Sequence, residues 1–192
     1  MNPFLEPFPK SVRIDGTEYP IVTDFREWIR FSAMLKDADL TENEKIVLIM
    51  NYVKNVKSVS TQLIDSVFAF YRADGLELKK EKRGRENQNH DIKKPPLFDW
   101  CMDAPFVMGD FRRYYQIDLL RIQYLHWWEF RCLFQALPDD SNCMKRISYR
   151  GADLSKIKNK DERKRIAKIQ REIAIPYLTE EEEEYQLGEM FW

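Results

Sequence analysis

Tyr115-Gln-Ile-Asp-Leu-Leu-Arg-Ile-Gln-Tyr-Leu-His-Trp-Trp-Glu-Phe-Arg-Cys-Leu-Phe-Gln-Ala-Leu137 is the stretch on which the fold turns. Its apolar positions follow helical spacing on most of the circumference, and a helix apolar all round has to be packed on several sides. The reading is one long central helix from Tyr115 to Leu137, stopped by Pro138-Asp-Asp, at the heart of an α-rich core. Helical spacing continues on both sides. Leu97 to Tyr114 carries Phe98, Trp100, Met102, Phe106, Val107 and Phe111, with Pro105 near its start, and Cys143 to Tyr149 reads as a short helix.

Upstream, Pro3, Pro7 and Pro9 set an extended arm, and apolar residues flanking Asp15-Gly16 give the short-range signal of a type I′ hairpin over Val12 to Val22. Asp24 with Glu27, and Thr41 with Glu44, each have the spacing of a capping box that opens a helix. A third helix runs from about Thr61 to Ala73, with Gly75 placed to stop it. Residues 76–95 are charged and poor in apolar side chains, which makes them an exposed linker. From Asp153 to Ile175 the pattern is a long helix with apolar residues at its ends and a wholly polar stretch, Lys158 to Arg165, between them. Pro176 ends it, and a tail with five consecutive glutamates follows, finishing on Met190-Phe-Trp192.

The fold class that results is mainly α: a single helical bundle domain with a small N-terminal β-hairpin and a projecting C-terminal helix. Its divisions are an extended arm and hairpin over 1–22, a helical core over 23–150 containing the linker 76–95, and a basic helix with an acidic tail over 151–192.

Composition narrows the function. The 192 residues are 44% hydrophobic and 14% aromatic, which marks a folding chain. A net charge of −1 removes any global attraction to nucleic acid or an anionic membrane. No apolar stretch is long enough to span a bilayer, and residues 1–10 show neither a basic leader nor an apolar signal run, so the expected location is the cytoplasm. Three cysteines, Cys101, Cys132 and Cys143, show no metal or redox spacing. Cys132, inside the aromatic run, reads as a buried thiol, and no disulfide is expected.

Chemistry finds no foothold. His126 and Glu129 stand at a metal-ligand spacing, but the only other histidine, His90, lies in the linker, so a hydrogen-bonded structural histidine is the preferred reading. The six glycines are scattered singly and form no phosphate loop, and no serine sits in a nucleophile elbow. The chain is read as a non-enzyme with no cofactor and no metal. Candidate partner-binding residues are Trp128, which leaves the helix about 100° from Trp127, and Phe134; Lys164, Lys168 and Arg171 of the basic stretch Lys156 to Arg171; and Phe191 and Trp192 at the tail. The basic stretch reads first as a solvated helix with pairs such as Asp161 with Arg165, and the acidic tail is a candidate to dock on it.

Several of these stretches carry a family resemblance. Ile14-Asp-Gly-Thr-Glu-Tyr-Pro-Ile21, Thr23-Asp-Phe-Arg-Glu-Trp28, Ile117-Asp-Leu with Leu125-His-Trp-Trp-Glu-Phe130, and Ile147-Ser-Tyr-Arg-Gly-Ala-Asp-Leu154 together resemble the bacteriophage structural family named after "gene product fifteen". The resemblance runs from Ile14 to about Pro176. It implies a non-enzymatic protein of phage tail morphogenesis: a tail-assembly chaperone that covers the tape-measure protein until tail-tube subunits replace it. Partners implied are the tape-measure protein and other tail-module proteins; self-association is compatible with this, a membrane is not expected, and nucleic acid is not the expected ligand. The competing reading is a structural virion component, or a protein that contacts nucleic acid through the basic helix 156–171.

Overall fold

The computed structural model describes residues 1–76 and 96–176. Among them are seven α-helices and one two-stranded antiparallel sheet, a mainly α fold. The described residues gather into two compact units, 1–76 with 123–135 and 96–122 with 136–176. The span 23–150, drawn from the sequence as one core, passes through both.

In the first unit, β1 (Ser11–Ile14) pairs with β2 (Thr17–Pro20), with Ile14 opposite Thr17. Asp15 and Gly16 join them at φ 48° and 78°, the double positive φ of the expected type I′ turn. A two-stranded ribbon is marginal alone, and this one rests on α3 (Thr61–Arg72). The Asp15 amide donates to Gln62 at 2.8 Å, and the Ser66 hydroxyl donates to the Arg13 carbonyl at 3.2 Å.

Helix α1 (Phe25–Leu35) starts at Asp24, whose carboxylate accepts from the Arg26 amide. Asp24 therefore caps the helix by itself, without the reciprocal bond from Glu27 that the sequence suggested. Helix α2 (Glu42–Ile49) has its complete box: the Glu44 amide donates to the Thr41 hydroxyl, and Glu44 accepts from the Thr41 amide at 2.8 Å. Helix α3 closes on Ala73 at φ 57°, the residue at which the expected helix ended. Gly75 has a different task. A Cβ there would stand 2.8 Å from the Trp128 ring, so the missing side chain is what lets the indole lie against the backbone.

The core of this unit is aromatic. Trp28, Phe31, Trp127 and Phe130 are fully buried with Leu63 and Val67. Trp28 stacks on Phe70 at 5.0 Å between centroids, Trp127 on Tyr71 at 5.6 Å, and Phe25 on Phe130 at 4.8 Å. Burying one such ring contributes roughly 1.5–3 kcal/mol. The indole N–H groups lose water in the process, and each finds a carbonyl: Trp28 donates to Val22, Trp127 to Tyr71 and Trp128 to Phe70, at 2.8–2.9 Å.

The long central helix read over Tyr115–Leu137 is not formed. Helix α4 (Ala104–Tyr115) ends where that run begins, with Gln116 left-handed at φ 56°, and α5 (Trp127–Gln135) supplies only its second half. Local polar bonds decide between them. The Asp118 carboxylate accepts from the Leu120 amide at 3.1 Å, and its carbonyl accepts from Arg121 and Ile122, which turns the chain. Leu125 and His126 then run extended beside the start of α1: Phe25 N–H donates to Leu125, and Trp127 N–H to Thr23 at 2.7 Å. Leu120 and Tyr124, assigned to a buried helix, are 76% and 50% exposed.

The second unit packs α4 against α6 (Asn142–Arg150), and α6 against α7 (Lys160–Glu172). Pro105 lies in the first turn of α4, where its missing donor costs nothing. Helix α7 is shorter than the span 153–175. Asn159 caps it by accepting from the Asp161 and Glu162 amides, and Ile166, Ile169, Gln170 and Ile173 form its half-buried side. The linker 76–95 lies outside the described residues except for Leu76, which is buried, as does the tail beyond Pro176.

Candidate functional site

Helix α5 carries the first candidate residues, and its start is built by His126. The Trp128 amide donates to His126 Nδ1 at 3.0 Å, so that nitrogen holds no proton. Nε2–H then donates to the Pro9 carbonyl, also at 3.0 Å, and Phe8 stacks on the ring at 5.1 Å. One buried neutral imidazole thus caps α5 and pins the proline-rich arm. Both ring nitrogens are engaged and Glu129 is exposed, so the pair forms no metal site; among the described residues no three His, Cys, Asp or Glu side chains are placed to hold an ion.

Burial pushes the His126 pKa down against the opposing pull of the Pro9 carbonyl, and Lys10 lowers it further. A base whose folded pKa lies below its unfolded value of about 6.5 takes its proton more readily when unfolded. Its contribution is complete above about pH 6.5 and is lost as the pH falls from there through the folded value. We expect His126→Asn, which retains a capping oxygen and cannot titrate, to flatten the loss of stability between pH 7 and 5 in urea melts. An unchanged slope would remove His126 from the pH response.

Trp128 itself is 6% exposed, and one edge of it faces a hollow of about 250 Å³ beside the arm. Pro9, Val12, Ala69, Phe70 and Gly75 supply the apolar lining, with Arg13 and Asp74 among the polar residues. Further out on the arm, Phe4 is 96% exposed and Leu5 79%. Trp127 points the other way, into the core. Phe134, on the same helix, is half-buried and does not line the hollow. Lys164, Lys168 and Arg171 are exposed along α7 in the second unit, and Lys168 pairs with Glu172 at 3.8 Å. The expected Asp161–Arg165 pair is replaced by Glu162 with Arg165, joined by two bonds of 2.9 and 2.7 Å. Phe191 and Trp192 fall outside the described residues.

Three residues that the sequence reading passed over make the strongest polar cluster. Asp103, fully buried, receives Arg150 through two bonds of 2.6 and 2.9 Å, Arg146 at 3.0 Å and the Asp99 amide at 3.1 Å. Burial alone would raise its pKa; the hydrogen bonds from Arg150, Asp99 and Arg146 overcome that and hold the carboxyl below the usual range. Arg150 also donates to the carbonyls of Ile173 and Leu97, at 2.7 and 2.9 Å. Asp110, about two turns further along the same side of α4, is equally buried and accepts from the Asn142 and Cys143 amides, which closes the N-terminus of α6. A signal existed: Asp103, Val107, Asp110 and Phe111 share one stripe of α4, and carboxylates on an apolar stripe need partners.

These groups are committed to the fold. Cys143, between the two carboxylates, is the buried thiol of the chain, and burial with Asp103 and Asp110 pushes its pKa up to about 12. Cys132, expected inside, is only half-buried because α5 turns its Arg131–Gln135 end toward the surface. What the described surface offers is an apolar hollow in one unit and a basic helix face in the other. No helix among the described residues is long and apolar enough to cross a membrane.

No curated protein and no solved structure gives a significant match to the chain. One family model does, that described as Bacteriophage Gp15 protein, and it matches residues 4–175. That span takes in the arm, both described units, the His126 cap and the Asp103–Arg150 cluster: the chain belongs to the bacteriophage Gp15 family and is a phage virion-related protein.

Proposed function

We propose that the protein is a non-enzymatic factor of phage tail morphogenesis, working in the host cytoplasm as an assembly chaperone for the tape-measure protein. The observation that carries this reading is the hollow at Trp128, an apolar recess edged by Arg13 and Asp74, with the exposed Phe4 and Leu5 on the arm beside it. A tape-measure protein is a long helical client with apolar stripes, and covering such stripes needs apolar surface and no chemical step. Release needs no nucleotide, because polymerising tube subunits that compete for the same client displace the chaperone by mass action.

Co-expression tests the proposal. A tape-measure fragment that aggregates alone is expected to stay soluble with this protein, and the complex should persist in 0.5 M salt, since burial of apolar surface is not screened (roughly an 8 Å Debye length at physiological salt already removes distant charge effects). Ala69→Glu places a charge in the hollow and should cut co-purification at least about tenfold without shifting the melting temperature, because Ala69 is only half-buried. A fragment that remains insoluble, or binding indifferent to Ala69→Glu, would defeat the assignment.

A further inference from the structure

The N-terminal arm displays two apolar side chains on a structured tip. The Phe4 amide donates to the Asn2 side-chain oxygen at 3.0 Å, and the Leu5 and Glu6 amides both donate to the Asn2 carbonyl at 3.0 Å, so residues 2–6 close into a turn. Behind the turn, Pro7 and Pro9 stiffen the chain. Phe8 stacks on His126 at 5.1 Å and meets Trp128 at 6.5 Å, which anchors the base of the arm. Phe4 and Leu5 are thereby held out in water, the two most exposed large apolar side chains among the described residues. An apolar pair fixed side by side on a preorganised support is the form that binding anchors take.

A recess that fits the tip lies in the same compact unit. The hollow at Trp128 measures about 250 Å³, and Val12, Ala69, Phe70 and Trp128 make its wall apolar. An apolar cavity of roughly 150 Å³ already accommodates benzene, so this one has room for the Phe4 ring and part of Leu5. We propose that the hollow of one copy receives Phe4 and Leu5 from the arm of a second copy, and that the two copies exchange arms reciprocally. Pro9, which lines the hollow, is five residues from Phe4, at most about 18 Å along an extended chain. Tip and recess are therefore neighbours, and one two-fold axis between them seats both tips at once. Charge is complementary as well. Glu6, the only ionisable side chain in residues 2–9, is exposed beside the apolar pair. Arg13 at the hollow is 71% exposed and holds only a 3.4 Å contact with Glu18, so it is open to a carboxylate from the second copy.

Area sets the strength of the pairing. Two Phe4–Leu5 tips and the linings they cover bury on the order of 1,000–1,200 Å² in all, the low end of specific interfaces, which corresponds to a dissociation constant on the order of 10 µM. A dimer this weak is exchangeable. Any apolar segment that takes the hollow expels the second copy's arm, so occupancy of the hollow and the oligomeric state are coupled. The pairing stands whether or not the segment that displaces the arm belongs to a tape-measure client.

Sedimentation velocity on the full chain tests the exchange: the native protein should pass from monomer to dimer between about 1 and 200 µM. Phe4→Ser with Leu5→Ser should weaken the dimer at least about tenfold at an unchanged melting temperature, because both side chains already stand in water in the single copy. Ala69→Glu, which places a charge in the hollow, should weaken it as much. The contact itself is read by mixing Leu5→Cys chains with Ala69→Cys chains under mild oxidation. Peptide mass spectrometry should find the two introduced thiols joined, at several-fold the yield of Leu5→Cys mixed with Val47→Cys, an exposed position on α2. A native chain still monomeric at the top of the range, a dimer indifferent to the serine variant, or equal yields in the two mixtures would each overturn the proposal. The chaperone reading fails separately, since the serine variant leaves the hollow open and should lose the dimer while keeping a client fragment soluble.

Discussion

Replacing Arg150 with leucine is expected to destabilise the protein by about 3–5 kcal/mol, the usual effect of removing one partner from a buried ion pair. Asp103 is fully buried, so its charge cannot turn to water when the guanidinium is gone. Arg146 and the Asp99 amide remain, but the two shortest bonds to the carboxylate are lost together. The Leu97 and Ile173 carbonyls lose their donor as well, each a penalty of roughly 1–3 kcal/mol where water cannot enter. Arg150→Lys should recover little, because a single ammonium cannot serve a carboxylate in two places and two carbonyls besides. The pH dependence has a definite sign. Asp103 has its pKa lowered in the folded state, so its contribution is complete above the unfolded value of about 3.9 and is lost as the pH falls below that through the folded value. Urea melts decide the matter: a loss under 1 kcal/mol for Arg150→Leu would mean that the cluster is not what joins α4, α6 and the end of α7.

Trp127→Ala should be as damaging, again on the order of 3–5 kcal/mol, by a different route. The ring is fully buried between Tyr71, Phe130 and Trp28, so its removal leaves a cavity that rigid neighbouring rings cannot fill. The Tyr71 carbonyl also loses the indole donor. Phe134→Ala is the natural comparison, with an expected loss of about 1 kcal/mol or less from a half-buried ring on the same helix. Little soluble Trp127→Ala protein beside normal yields of Phe134→Ala is the expected outcome; normal melting of both would contradict the central place given to α5.

Local rules with a strong chemical cause were legible in the sequence. Asp15-Gly16 dictates its turn because both positions need positive φ, and Thr41 with Glu44 forms its box because the two bonds are made within one turn of helix. The long aromatic run misled because periodicity reports where apolar side chains recur and does not report a polar group that diverts the backbone. Asp118 turns the chain, and His126, outside the usual set of capping residues, restarts it. Gly75 was assigned to helix termination, whereas its role comes from Trp128, over fifty residues away. The site residues divide likewise. Trp128 was found through its angle to Trp127, but the hollow beside it depends on the arm and α3, a meeting of distant segments that spacing cannot show. Asp103 and Arg150 lie 47 positions apart and announce themselves only as charges on apolar stripes.

The placement of α5 has a consequence for how the chain is made. Trp28, Phe31 and Phe70 lie within the first 76 residues, while Trp127 and Phe130, which complete their cluster, are translated some fifty residues later, after α4 but before α6 and α7. At ordinary elongation rates of about 5–20 residues per second, the nascent N-terminal segment spends several seconds with its aromatic face uncovered. Its folding then waits on contacts such as Phe25 with Leu125, which span a hundred residues, so this unit closes late and slowly although its helices are short and local. In a crowded infected cell, that interval on the ribosome is when the chain itself is most in need of protection.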